Sequence, residues 1–143
     1  MSESEPLELS SFHVVVYGSL FAATIGGQFL GMVLDAAVLG RRLVWVPLAC
    51  SVTLEAIVGA RVAMARRGRP LTSAELGRIS GNYSAGLAAV TLPMLVWTAA
   101  SRSLQAPFGG LNPTLAALLG LAILGVLTLV RWGLMVLAGK AGT

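Results

Sequence analysis

The residue best placed to do chemistry is a single carboxylic acid inside an apolar stretch. Glu55 lies within CSVTLEAIVGA, residues 50–60, where its neighbours are apolar, small or hydroxyl-bearing. Such a carboxyl group has two uses. It is neutral or paired and fixes how packed helices register, or it exchanges a proton when its pocket opens. The residues alone leave both uses open.

The composition indicates that hydrocarbon surrounds most of the chain. Of its 143 residues, 56% are hydrophobic and only 11% are charged, and the mean hydropathy is +0.83. A soluble domain of this length is far more polar, because its core needs a polar coat. We therefore predict a single integral membrane domain over residues 1–143.

Three polar gaps divide the chain into four apolar segments of helical length. Each segment reaches the roughly 20 residues that a helix needs to cross the hydrocarbon core. The segment at 115–130, LAALLGLAILGVLTLV, is apolar all round, whereas a soluble bundle helix would carry a polar stripe. The sequence thus predicts an all-α polytopic membrane protein, a four-transmembrane-helix up-down bundle. We place the spans at about 13–36, 43–64, 82–104 and 113–138.

The charged residues predict an orientation. An acidic N-terminal tail, residues 1–11, precedes the first span where a secretion signal would be basic, so we expect that span to be retained. We expect the protein in the inner membrane of the cell. The positive-inside rule then places both termini and the middle loop in the cytoplasm. Within that loop, Arg66, Arg67 and Arg69 are expected at the level of the lipid headgroups, to set topology or to dock an acidic partner or lipid. The positive residues on the inner side are Arg61, Arg66, Arg67, Arg69, Arg78, Arg131 and Lys140, and those on the outer side are Arg41, Arg42 and Arg102.

Capping residues predict where two helices begin. Thr72 and Glu75 have the spacing of a capping box, which predicts a short cytoplasmic helix over 73–80 between spans 2 and 3. That helix either ends at the following glycine or continues into span 3, and the sequence allows both. The fourth span is expected to begin at Pro113, with Asn112 as its cap.

Small residues recur at intervals of four on the first span, where they let helix backbones approach closely in lipid. Two such rows share that helix, and one of them includes a GxxxG pair. If one row packs within the chain, the other is spare for a second copy or a different protein. We therefore expect a homo-oligomer or a larger membrane complex. The rows are Gly18, Ala22 and Gly26, and Ala23, Gly27 and Gly31, to which the fourth span adds Ala116 and Gly120.

Near the midplane of span 2, Glu55 should turn away from lipid and find a partner. Arg131 lies about 10 Å inside the inner end of the fourth span. It could snorkel to the interface or reach up to Glu55. Three further side chains, Gln28, Thr24 and Thr91, lie at nearby levels and could hydrogen-bond the carboxyl group.

Enzyme chemistry is not indicated. One histidine cannot supply a bis-imidazole haem, and the lone Cys50 cannot build a thiolate metal cluster within one chain, so no cofactor or metal is expected. The net charge of +4 follows the topology pattern rather than an aromatic-basic platform for nucleic acid. No substrate is indicated.

Four spans with one membrane-embedded glutamate resemble the small multidrug transporters. In that family the acid lies on the first helix of a shorter chain, whereas Glu55 is on the second span, so we do not transfer the family's function. We expect a non-enzymatic accessory or structural subunit of the cell membrane that acts through helix–helix association. The alternative is a small proton-coupled transporter or pore that uses Glu55.

Overall fold

The structure of the chain is a computed structural model, which describes residues 5–39, 45–100 and 112–141. Within those ranges every regular element is a helix, so the all-helical prediction is confirmed. The elements are α1 (Glu5–Leu34), which passes into a π-helical segment at Asp35–Leu39, α2 (Trp45–Arg67), α3 (Ser73–Ala100) and α4 (Pro113–Ala141).

In the part of the chain that the structure describes, four helices are long and apolar enough to cross a membrane. Their large apolar side chains remain widely exposed, among them Phe29 at 67% and Trp97 at 76%. Water disfavours an apolar surface of this extent, whereas lipid accommodates it. The four helices therefore indicate a membrane protein. The candidate spans are Ser11–Val38, Trp45–Arg67, Ser73–Ala100 and Pro113–Lys140.

Two predicted boundaries differ in the structure. The N-terminal segment predicted as a tail is helical from Glu5 onward, and residues 1–4 lie outside the described residues. Helix α3 runs without a break from Ser73 to Ala100, so residues 73–80 are its first turns rather than a separate short helix. A glycine that ends a helix usually takes a positive φ. Among the described residues that conformation belongs to Gly68, not to Gly81.

Local hydrogen bonds fix the turn between α2 and α3. Gly68 follows the last residue of α2 with a φ of 64°, and its N–H donates to the carbonyl of Met64 at 2.9 Å. At the start of α3, the Glu75 N–H donates to Thr72 Oγ1 at 3.3 Å, and the Thr72 N–H donates to Glu75 Oε2 at 2.9 Å. The predicted capping box is therefore present, and it satisfies donors that the first turn of a helix leaves unpaired.

The chain divides into two compact units, Met1–Gly77 with Val130–Thr143, and Arg78–Leu129. In the first unit, one row of small residues on α1 lies against α2. Ala23, Gly27 and Gly31 are buried. A Cβ atom at Gly27 would collide with the backbone of Ser51, and one at Gly31 with the backbone of Pro47. The GxxxG pair is thus used inside the chain, where it brings two helix backbones together.

The second row on α1 is not used in this way. Gly18, Ala22 and Gly26 are all exposed. A Cβ atom at Gly18 would meet nothing within 4 Å, and one at Gly26 would meet only Leu54 Cδ2, at an ordinary 3.8 Å. Helix α1 therefore has one face occupied by α2 and a second smooth face on its surface.

In the second unit, α4 lies against α3 at small residues. A Cβ atom at Gly120 would come within 2.7 Å of Leu95 Cδ1 and 3.2 Å of Leu92 Cδ2, and Ala116 is buried. Helix α4 begins at Pro113 as expected. Asn112 caps this helix as predicted, since its side-chain oxygen accepts a hydrogen bond from the N–H of Thr114 at 2.9 Å.

Replacing Gly27 with isoleucine should destabilise the first unit by about 1–3 kcal/mol or more, because the new side chain enters space held by the Ser51 backbone. The measurement is the unfolding midpoint of the purified protein in mild detergent. Gly18→Ile is the matched control, since it makes the same change on the exposed row, and it should shift stability by about 0.5 kcal/mol at most. Equal losses in the two variants would contradict the assignment of the rows.

Candidate functional site

Glu55 and Arg131 form a buried ion pair in the first unit. Arg131 Nε donates to Glu55 Oε2 at 2.6 Å, and both side chains are only 2% exposed. Of the two courses that the sequence left open for Arg131, the structure shows the one that reaches Glu55. The pair joins α2 to α4 through side chains that lie among the largest fully buried ones.

Two hydroxyl groups also approach the Glu55 carboxylate. Thr24 Oγ1 on α1 lies 2.7 Å from Oε1, and Ser51 Oγ, one turn before Glu55 on α2, lies 3.0 Å from the same oxygen. Each hydroxyl has one proton and a second acceptor in reach, the carbonyl of Leu20 for Thr24 and that of Thr24 for Ser51. The charged carboxylate is the stronger acceptor, so both protons are best placed toward it. Three helices thus contribute to one carboxylate.

Apolar side chains pack one turn away from the pair. Leu20 of α1 and Met135 of α4 are fully buried, and both approach Gly59, where a Cβ atom would lie 2.6 Å from Leu20 Cδ2 and 2.7 Å from Met135 Cε. Gly59 follows Glu55 by one helical turn on the same face of α2. The absence of a side chain there lets α1 and α4 close over α2, which strengthens the electrostatic interaction by lowering the local dielectric.

Two further residues expected near Glu55, Gln28 and Thr91, are not among the donors described above. Gln28 is half-buried and donates none of the three hydrogen bonds described above. Thr91 lies in the second unit, where its hydroxyl donates to the carbonyl of Leu87 in its own helix at 2.8 Å. Contact of these two side chains with Glu55 stays a prediction.

A second polar cluster, in the second unit, was missed by the sequence reasoning. Ser80 Oγ donates to the carbonyl of Thr128 at 3.1 Å, and Thr128 Oγ1 lies 2.6 Å from Ser84 Oγ. These bonds join α3 to α4. The available signal was the four-residue spacing of the two serines, which places them on one helix face, together with Thr128 as the only hydroxyl in residues 115–130.

The basic residues at the end of α2 and just after it are partly engaged by contacts within the chain. Arg69 makes a bidentate ion pair with Glu75, through Nη2–Oε1 at 2.6 Å and Nη1–Oε2 at 3.1 Å. The hydrogen bonds to Glu75 raise the pKa of the Arg69 guanidinium. The Arg67 guanidinium lies 4.6 Å from the centre of the Phe12 ring. Arg66, Arg67 and Arg69 are all exposed, and their contact with lipid headgroups stays a prediction.

No protein-family model, curated protein or solved structure matches the chain. Function is therefore inferred from its own residues. The two features that bear on it are the ion pair between Glu55 and Arg131 and the exposed row of small residues on α1.

Breaking the buried ion pair from either side should cost about 3–5 kcal/mol, because the charge that remains loses the buried group with which it is paired. Glu55→Gln and Arg131→Gln should each lower the unfolding midpoint strongly in detergent. The double variant should recover much of that loss, since two neutral amides can hydrogen-bond each other.

The exposed pair provides the matched control. Arg69→Gln removes an arginine from an ion pair of the same 2.6 Å length, but it should change stability little because water already screens that pair. If the losses of the Glu55→Gln and Arg131→Gln variants simply added in the double variant, the two side chains would not be coupled as the structure indicates.

Proposed function

We propose that this chain is a four-span protein of the cell membrane, with both termini and the middle connection in the cytoplasm. It acts as a non-enzymatic accessory or structural subunit through helix–helix association. The four long apolar helices support insertion. The excess of arginine and lysine around the middle connection and toward the C-terminal end supports the orientation.

The exposed row on α1 is the single observation that carries the association proposal. The buried row, Ala23, Gly27 and Gly31, shows that this helix packs closely through residues spaced by four. Gly18, Ala22 and Gly26 repeat that spacing on an exposed face. In lipid, the hydrophobic effect does not drive helices together, because lipid tails solvate apolar side chains as well as another helix does. Helices therefore associate where small residues let their backbones approach closely. This face therefore fits one further helix, from a second copy or from another membrane protein.

The surroundings of Glu55 favour a structural use of the acid. Its carboxylate is approached by Arg131, Thr24 and Ser51 together. Separating this pair inside a site that is 2% exposed would take the carboxylate away from a charged group that it contacts at 2.6 Å, which is costly in a buried site. Within the proposed function, the pair holds α1, α2 and α4 in one arrangement in the first unit and so keeps the exposed face of α1 in a fixed place.

Association should depend on the exposed row. Ala22→Ile with Gly26→Ile should lower recovery of the oligomer or of the partner in mild detergent several-fold, because branched side chains keep helix backbones apart. The measurement is chemical cross-linking in membranes followed by purification of the tagged protein. Gly27 and Gly31 are unsuitable for this test, since they already contact α2.

The matched control places the same two substitutions on another helix. Ala122 and Gly125 of α4 are both exposed, and a Cβ atom at Gly125 would meet nothing within 4 Å. Ala122→Ile with Gly125→Ile should leave the cross-linked species unchanged. Unchanged cross-linking in the Ala22→Ile, Gly26→Ile variant would remove the basis of the association proposal.

The second candidate function is a proton-coupled transporter or pore, and the observation that favours it is a charged pair placed within apolar helices. The variant Glu55→Gln with Arg131→Gln separates the two candidates. A structural subunit should retain its cross-linked species in this variant, whereas a transporter should lose pH-dependent flux in reconstituted vesicles. We expect the double variant to keep its cross-linked species. We also expect the unmodified protein to show no pH-dependent flux that the double variant could lose.

A further inference from the structure

Helices α2 and α4 border a groove in the first unit. Its lining includes neither residue of the buried ion pair and no residue of the exposed α1 row. Its volume is about 370 Å³, within the range of roughly 300–1,000 Å³ that is usual for ligand pockets. The Thr53 hydroxyl at one end of it donates to the carbonyl of Ala49 in its own helix at 2.8 Å. The groove is lined by Thr53, Ile57, Arg61, Leu134, Leu137 and Ala138.

The groove has the polarity of an amphiphile. From Thr53 to Arg61 it follows α2 for eight residues, about 12 Å at 1.5 Å per residue. Ile57 and Leu137, which face it, are 47% and 63% exposed. The charged group is Arg61 alone among the six lining residues. A ligand that contacts both the apolar lining and Arg61 needs a hydrocarbon chain of about 12 Å with an anionic group at one end.

Arg61 lies where an anion would be needed. It is exposed, and it precedes the end of α2 at Arg67 by six residues, about 9 Å, so it belongs to a candidate span. An arginine at this depth is costly in hydrocarbon unless its head reaches the interface or an opposite charge. The two acids of α2 and α3, Glu55 and Glu75, are each paired with another arginine.

The charge around the groove attracts anions. The last turn of α2 carries Arg66 and Arg67, and the last turn of α4 carries Lys140. These cations lie beyond the end of the groove that holds Arg61. Cations at helix ends beside a lipid surface favour anionic headgroups, and basic pockets between helices at that level suit phosphate.

We propose that this groove is a binding site for an anionic phospholipid. Arg61 contacts the phosphate, and an acyl chain lies along Ile57, Leu134 and Leu137. A free phosphate or an acidic peptide would use Arg61 but would leave the apolar length of the groove unoccupied. The inference rests on the proposed membrane insertion but not on association, so a monomer should bind the lipid as well as an oligomer does.

The test is native mass spectrometry of the full chain with phosphatidylglycerol and with phosphatidylcholine of the same acyl chains. The unmodified protein should retain phosphatidylglycerol in preference to phosphatidylcholine. Arg61→Gln should weaken phosphatidylglycerol binding about fivefold, the equivalent of about 1 kcal/mol for one basic residue at the membrane surface. Arg61→Lys should keep most of the binding, which also shows that changes at this position allow folding. Ala138→Phe, which fills the groove, should weaken retention of both lipids.

Arg66→Gln is the matched control, because Arg66 is exposed on the same helix and does not line the groove. It should change retention little. Equal losses from Arg61→Gln and Arg66→Gln would overturn the site in favour of general surface attraction. Displacement of the lipid by glycerol phosphate at comparable concentration would overturn it in favour of a simple phosphate site. Cross-linking of the same variants reports association separately.

Discussion

A charge enclosed by apolar helices must bring its counter-charge with it, and the first unit is built around that requirement. Glu55 of α2 meets Arg131 of α4 at 2.6 Å, and Thr24 of α1 donates to the same carboxylate. Turning either charged group into hydrocarbon, or leaving it alone, carries a large cost. The carboxylate therefore fixes the register of three helices. Apolar contacts in lipid define register less sharply, because sliding one apolar helix surface along another changes the packing energy little.

The close packing of α1 on α2 and the polar site depend on the same residue. Gly27 brings the backbone of α1 onto Ser51, and the Ser51 hydroxyl is a donor to Glu55. A larger residue at position 27 would push α1 away, and Thr24, one turn earlier on α1, would lose its reach to the carboxylate. The buried small-residue row therefore supports the ion pair. The exposed row has no such role inside the described chain, which is why it remains available for another helix.

The sequence predicted what depends on local chemistry or on depth. The starts of α3 and α4 follow from caps within three residues, and the need of Glu55 for a partner follows from its position in an apolar span. The choice of Arg131 was open because a long side chain near a helix end can reach either direction. Ser51 was missed because a helical serine usually bonds the backbone of its own helix, and only the approach of α1 and the adjacent carboxylate give it another acceptor.

The basic residues at the end of α2 and just after it illustrate a related limit. Counting positive charge predicts orientation without knowing what each side chain touches, and the structure shows Arg69 paired with Glu75 and Arg67 against Phe12. These contacts do not weaken the proposed orientation, because the rule counts arginine and lysine and gives acidic residues little weight. They do change what the positions can bind. An arginine held by a glutamate offers less to a phosphate than Arg61, whose groove is lined mainly by apolar side chains. Positive charge near an interface and the capacity to bind an anionic ligand are therefore separate properties.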